Sequence, residues 1–345
     1  MERFTRKDML VGLAALGAGT ALGRGLEPRP AGAAEGGRLD VHHHYVSPVW
    51  KAALINDSVI GTIANMNWSV AGSIASMDAG GVATSILSTT NPGIWFGNDA
   101  QTRMLARNMN DFGAELVRDY KPRYGLFAVL PLPNAQACLP EIAYAFDTLH
   151  ADGISVLSSY GNTWLGDPAF DSVWAELDRR KAIVFSHATT PVCCDHLQPH
   201  IDHWTIEFNT DTARSIVSII ENGVAQRYPN IRFIWSHAGG TILALAGRYF
   251  RKQATYASLH GPVPPDSPLG HLRRFYYDIA GSANQMNMQA LKTMVPNSQI
   301  LFGTDYPWDK AVDLATGLAD SRCFTAAELR AVERDNIVQL LPKYA

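Results

Sequence analysis

Eight short β-rich runs alternate with helical patterns after residue 37, and this alternation restricts the fold more than any other feature of the chain. The runs cover residues 39–44, 83–87, 124–130, 153–157, 182–187, 231–237, 275–279 and 300–305. Helical spacing fills 99–120, 139–150, 167–181, 210–228 and 287–295. Pro140 is expected in a first turn, where proline is tolerated, and Asp167-Pro168 opens the third helix. Thr325-Ala326-Ala327-Glu328 has the pattern of a capping box that starts the last helix. Eight strand–helix repeats in 345 residues predict the α/β class and a (β/α)8 barrel rather than an open sheet. The wide gap between the first two runs, residues 45–82, predicts an excursion over the barrel mouth.

The first 36 residues read differently. Arg3, Arg6 and Lys7 precede an apolar stretch over 9–22, followed by Pro28, Pro30 and Ala31-Gly32-Ala33-Ala34. A basic start, a short apolar segment and small residues at the end form the layout of an export signal. Thr5-Arg6-Lys7-Asp8-Met9-Leu10 resembles a twin-arginine signal with Lys in the second position. The segment is short for a membrane span, so the mature chain is expected to have none. Residues 1–36 are therefore expected to be a leader, export signal or disordered tail, and 37–345 the barrel. The expected location is the periplasm, with the cytoplasm as the alternative.

In a (β/α)8 barrel, reactive groups gather at the C-terminal ends of the strands. His42 and His44 end the first run, two residues apart and so on one face, while His43 faces away. His187, His237 and Asp305 end the fifth, sixth and eighth runs. Imidazoles with one carboxylate suit Zn2+, Mn2+ or Fe2+, with a position open for water or substrate. A lone strand-end histidine is more often packed or exposed, but five such residues on four strand ends are not coincidence. Cys138, Cys193, Cys194 and Cys323 form no C-x-x-C pattern and no disulfide framework. Cys193, Cys194, Asp195, His196, His200 and His203 lack the spacing of a second metal site and are expected to shape the pocket rim. Trp164, Trp204, Phe208 and Trp308 lie near the same ends and are candidates for an apolar pocket around a flat ring. A net charge of −3 without a basic stripe excludes nucleic acid as a partner.

Four motifs carry a family resemblance over residues 38–345. They are Asp40-Val41-His42-His43-His44, Phe185-Ser186-His187-Ala188-Thr189-Thr190-Pro191, Trp235-Ser236-His237-Ala238-Gly239-Gly240 and Gly303-Thr304-Asp305-Tyr306-Pro307. The chain resembles the amidohydrolase-related group that contains aminocarboxymuconate semialdehyde decarboxylase and the hydroxybenzoate decarboxylases. The resemblance implies one divalent metal, Zn2+ first and Mn2+ as the alternative, on His42, His44, His187 and Asp305. It implies that His237 is an acid/base and orienting group rather than a ligand. It also implies that Arg248 reaches across a homodimer or higher homo-oligomer to a substrate carboxylate, as suits its planar fork. Binuclear members carry a lysine on the fourth strand. Residues 153–157 have none and Lys181 lies at the wrong end of the fifth, so one metal is expected.

The implied activity is non-oxidative decarboxylation of a small aromatic or unsaturated hydroxycarboxylic acid, with His237 and Asp305 as proton donor and relay and Trp308 at the substrate. Trp204-Thr205-Ile206-Glu207-Phe208 and Asp211-Thr212-Ala213-Arg214 resemble the subset that includes 6-methylsalicylate decarboxylase. The alternative is a metal-dependent hydrolase or hydratase acting on a lactone, ester or amide, because a bound cation serves either chemistry. A non-catalytic metal-binding protein is the third class, distinguished by the absence of turnover.

Overall fold

The computed structural model describes residues 36–56, 67–194, 197, 200–250 and 263–345. Eight parallel strands form a sheet in the order β1 (Arg38–His44), β2 (Val82–Ser88), β3 (Tyr124–Val129), β4 (Gly153–Leu157), β7 (Ile183–His187), β8 (Arg232–Trp235), β9 (Tyr276–Asp278), β10 (Ile300–Leu301). A two-stranded hairpin, β5 (Ser159–Tyr160) and β6 (Thr163–Trp164), follows β4 and was not expected from the sequence. The chain beyond β10 closes the ring against β1. Val41 N donates to Phe302 O at 3.0 Å, Asp305 N to His42 O at 2.7 Å and His44 N to Tyr306 O at 2.9 Å. The eight-stranded α/β barrel expected from the sequence is therefore the fold.

Between the strands run α1 (Pro48–Asn56), α2 (Val70–Ala79), α3 (Asp99–Asp119), α4 (Ala135–Ala143), α5 (Asp171–Arg179), α6 (His203–Glu221), α7 (Ile242–Phe250), α8 (Pro268–Arg274), α9 (Gln285–Met294) and α10 (Ala311–Asp320). The expected excursion holds α1 and α2, and its residues 57–66 lie outside the described residues. Residues 1–35, all but the last of the expected leader, also lie outside them. Among the described residues no helix is long and apolar enough to cross a membrane.

Two helix starts differ from expectation. Asn134 caps α4 by accepting from Ala137 N, so Pro140 lies inside the helix rather than in its first turn. A π-helical turn, Tyr144–Thr148, completes that segment. The predicted 210–228 helix begins earlier, at His203, while its apolar face of Ile216, Ile219 and Ile220 is buried as expected.

The barrel interior is filled by Leu39, Val41, Ile86, Phe127, Ile183, Phe185, Ile234 and Leu301. Ile337 and Leu341 of the C-terminal segment pack into the same cluster and plug its lower end. Each such side chain contributes roughly 1.5–3 kcal/mol on burial. A buried ion pair, Arg38 Nη2 to Glu333 Oε1 at 2.6 Å, ties the start of β1 to that C-terminal segment.

Candidate metal centre

Strict alternation along β1 would send every second side chain into the barrel. Leu39 and Val41 do point there, yet so does His42, whose ring stands 5.0 Å from Phe185. The register of β1 against β2 slips between Asp40 and His43, and this irregularity shifts the phase. His42 and His44 consequently face the interior together, and His43 turns outward to Ser73 Oγ at 2.7 Å.

Each inward histidine is fixed through its outer nitrogen. His42 Nδ1 meets Asp278 Oδ2 at 2.9 Å, His44 Nδ1 meets Ser88 O at 3.3 Å and His187 Nδ1 meets Ala188 O at 2.7 Å. These acceptors hold a proton on Nδ1 and aim the Nε2 atoms at one point. The ligand atoms of His42, His44, His187 and Asp305 all lie within 4.8 Å of one another. His42 Nε2 and His44 Nε2 stand 3.0 Å apart, and Asp305 Oδ1 lies 3.2 and 3.0 Å from them. His187 Nε2 is buried without a hydrogen-bond partner, 3.7 Å from Asp305 Oδ1. Converging imidazole nitrogens, one carboxylate and an orphaned buried imidazole nitrogen fit a divalent cation, and these four side chains make its site.

The electrostatics agree. Burial lowers the His42 pKa, but the flanking carboxylates of Asp278 and Asp305 outweigh it and raise it to about 10. Burial drives His44 down to about 4 and His187 down to about 3. Burial pushes the Asp305 carboxyl up, but the charge on His42 and hydrogen bonds from the surrounding imidazoles hold it well below the usual carboxylate range. The pocket thus stabilises positive charge between two carboxylates.

His237 and Asp305 do not end strands, contrary to expectation. β8 stops at Trp235 and β10 at Leu301, and both residues occupy left-handed turns at φ 54° and 62°. That conformation is costly for non-glycine residues and is held here by hydrogen bonds. His237 N donates to Asp278 Oδ1 at 3.1 Å, and Asp305 N to His42 O. His237 Nε2 lies 3.2 Å from Asp305 Oδ2, the oxygen turned away from the other three imidazoles. Gly240 completes the turn. A side chain there would run into the Asn209 carbonyl of α6.

Two carboxylates hold this arrangement: Asp278, which the sequence did not single out, and Asp40, which stands in the first motif without an assigned role. Asp278 joins His42 to the His237 amide. Asp40 accepts from His42 N and Thr304 N at 3.0 Å through Oδ1, and from Thr304 Oγ1 at 2.7 Å through Oδ2. Asp40 therefore locks β1 to the turn that carries Asp305. The only signal for Asp278 was an acidic residue near the end of the β-rich run 275–279.

The aromatic candidates separate. Trp308 stands edge-on to His44 at 5.5 Å and Phe208 to His187 at 6.3 Å, so these two flank the site. Trp164 instead donates to buried Asp211 at 2.6 Å, and Trp204 is 65% exposed. Arg248 is exposed on α7, and no hydrogen bond or ring contact joins it to the cluster among the described residues. His203 bonds Thr190 Oγ1, His200 is exposed, and Asp195 and His196 lie outside the described residues.

An amidohydrolase family model matches residues 39–343. Decarboxylase yanB of Aspergillus niger is 32% identical over 325 residues, which covers 89% of this chain and 88% of that protein. The 6-methylsalicylic acid decarboxylase of Penicillium expansum is 34% identical over 280 residues, 78% of this chain and 85% of that one. A dihydroxybenzoic acid decarboxylase from Polaromonas sp. JS666, solved with bound manganese and the inhibitor 2-nitroresorcinol, has the same fold. It superposes with a TM-score of 0.77 at 18% identity, covering 90% of this chain and 98% of that one. With the family model matching nearly the whole described length and the barrel in agreement, the chain belongs to the amidohydrolase family.

Proposed function

We propose that this protein is a metal-dependent, non-oxidative decarboxylase of a small hydroxy-substituted aromatic acid such as 6-methylsalicylate. The observation that carries the reading is His237 Nε2 on the free oxygen of Asp305 at 3.2 Å, beside three converging imidazoles and between two aromatic rings. The relatives that share about a third of its residues over most of its length are named for decarboxylation. A divalent cation held by the four side chains supplies a Lewis acid for the substrate's carboxylate and hydroxyl oxygens.

The chain's own groups do the rest. Trp308 and Phe208 bound a slot for a flat ring. Loss of CO2 leaves the bonding electron pair on the ring carbon, and that carbon takes a proton. His237 and Asp305 are placed to hold the proton between Nε2 and Oδ2 and to deliver it there. Neither a redox cofactor nor an attacking water enters this balance.

Three imidazoles and one carboxylate favour Zn2+, and the manganese in the Polaromonas enzyme supports Mn2+ as the second reading. Arg248 serves the same site from a second copy of the chain. The exposed position of Arg248 on α7, unconnected to its own chain's cluster among the described residues, supports a homodimer. The basic, apolar and small-residue order of the first 36 residues supports export by a twin-arginine-like route.

A panel of hydroxybenzoates incubated with the metal-loaded protein tests the activity. The expected result is CO2 and the corresponding phenol in equal amounts. Turnover of lactones or esters with no CO2 from any acid would replace the decarboxylase with a hydrolase.

A further inference from the structure

Cys193 and Cys194 are adjacent in the turn Val192–Cys194, and their sulfurs approach to 3.0 Å. Cys193 is exposed and Cys194 is buried. The turn is bonded to the tip of the β5–β6 hairpin, with Val192 N donating to Gly161 O at 3.2 Å and Cys193 N to Asn162 Oδ1 at 2.8 Å. The same short segment begins at the metal ligand His187. Ser158 N donates to His187 O at 2.8 Å, and Thr189 N to Ser158 Oγ at 3.1 Å. A disulfide brings two sulfurs to about 2.0 Å. Joining this pair must therefore twist the peptide between them and pull on a segment tethered at both ends.

We infer that Cys193 and Cys194 form a redox-active vicinal dithiol, and that its closure to a disulfide loosens the seat of His187. The exposed Cys193 thiolate attacks one sulfur of a small-molecule disulfide such as oxidised glutathione, breaking its S–S bond and releasing one thiolate. Cys194 then gives up its proton and attacks the Cys193 sulfur of the mixed disulfide, releasing the second. Two protons and two electrons pass from the protein to the oxidant. The hydrogen bond to Cys193 and burial push the Cys194 thiol up to about 11, so Cys193 is the first attacker. The inference needs the metal site but not the decarboxylase reading.

The test incubates the full, metal-loaded chain with oxidised glutathione, then measures intact mass, peptide map and metal retention under a chelator. The expected product has lost two hydrogen atoms, localised to 193–194 and restored by dithiothreitol. It should release its metal several-fold faster than the reduced protein. Cys194→Ser should instead gain one glutathione at Cys193 and keep the reduced protein's metal release. Wild-type protein that stays unmodified, or stops at a glutathione adduct, overturns the dithiol. Closure with unchanged metal release overturns its link to His187.

Discussion

Asp278 uses both carboxylate oxygens at the centre of the site, one on His42 Nδ1 at 2.9 Å and the other on the amides of His237 and Ala280. It orients a histidine of the metal site and holds the turn that presents the proposed proton donor, His237. Partners of this kind typically contribute about 10–100-fold in metal affinity or activity. Asp278→Ala should lower metal affinity by that amount in a competition titration, and Asp278→Asn, which keeps an acceptor, by less. Equal affinity in all three proteins would show that His42 is oriented by other contacts. His42 also sets a pH dependence. Its pKa is raised from 6.5 to about 10, so without a cation it stays protonated at neutral pH, and cation binding must expel that proton. Affinity should therefore rise with pH up to about 10, with close to one proton released per ion in calorimetry at neutral pH. A pH-independent affinity would place the site's proton elsewhere. In the cation-free protein the same raised pKa stabilises the fold fully below pH 6.5, and that contribution is lost as pH rises through about 10. The histidines were legible because chemistry-bearing residues recurred at strand ends. Asp278 was not, and Asp40 stood in a motif without its role, since a lone acidic residue in a β-rich run carries no spacing pattern.

The strands were readable from apolar runs because parallel barrel strands are buried on both faces. Their ends were less so. β8 and β10 stop short of His237 and Asp305, where tertiary hydrogen bonds override the extended preference and hold left-handed turns. The early start of α4 depends on the Asn134 cap, a signal overshadowed by Pro140. Across elements, the Arg38–Glu333 pair is nearly fully buried and joins β1 to the C-terminal segment. Removing one partner of such a pair costs about 3–5 kcal/mol. Glu333→Ala should lose stability of that order in denaturant unfolding, while Arg38→Met with Glu333→Leu should recover much of it. An unchanged midpoint for Glu333→Ala would mean the pair contributes nothing net.

At the scale of the molecule, eight parallel strands bring residues from positions 42 to 305 to one end of one barrel. The barrel and its metal cluster followed from strand spacing and end residues. Assembly did not, because a single exposed arginine has no sequence period. If Arg248 serves a neighbouring site, Arg248→Ala should raise KM at least several-fold with kcat less affected, and light scattering should give a dimer mass for the wild type. A monomer with full activity would remove Arg248 from the site. The most direct measurement is CO2 release by wild-type and His237→Ala proteins, with bound metal quantified in the same samples. The expected result is metal-dependent CO2 from the wild type, and a His237→Ala protein that keeps its metal but releases none. Loss of metal from His237→Ala, or undiminished CO2 release by it, would contradict the division between ligands and proton donor.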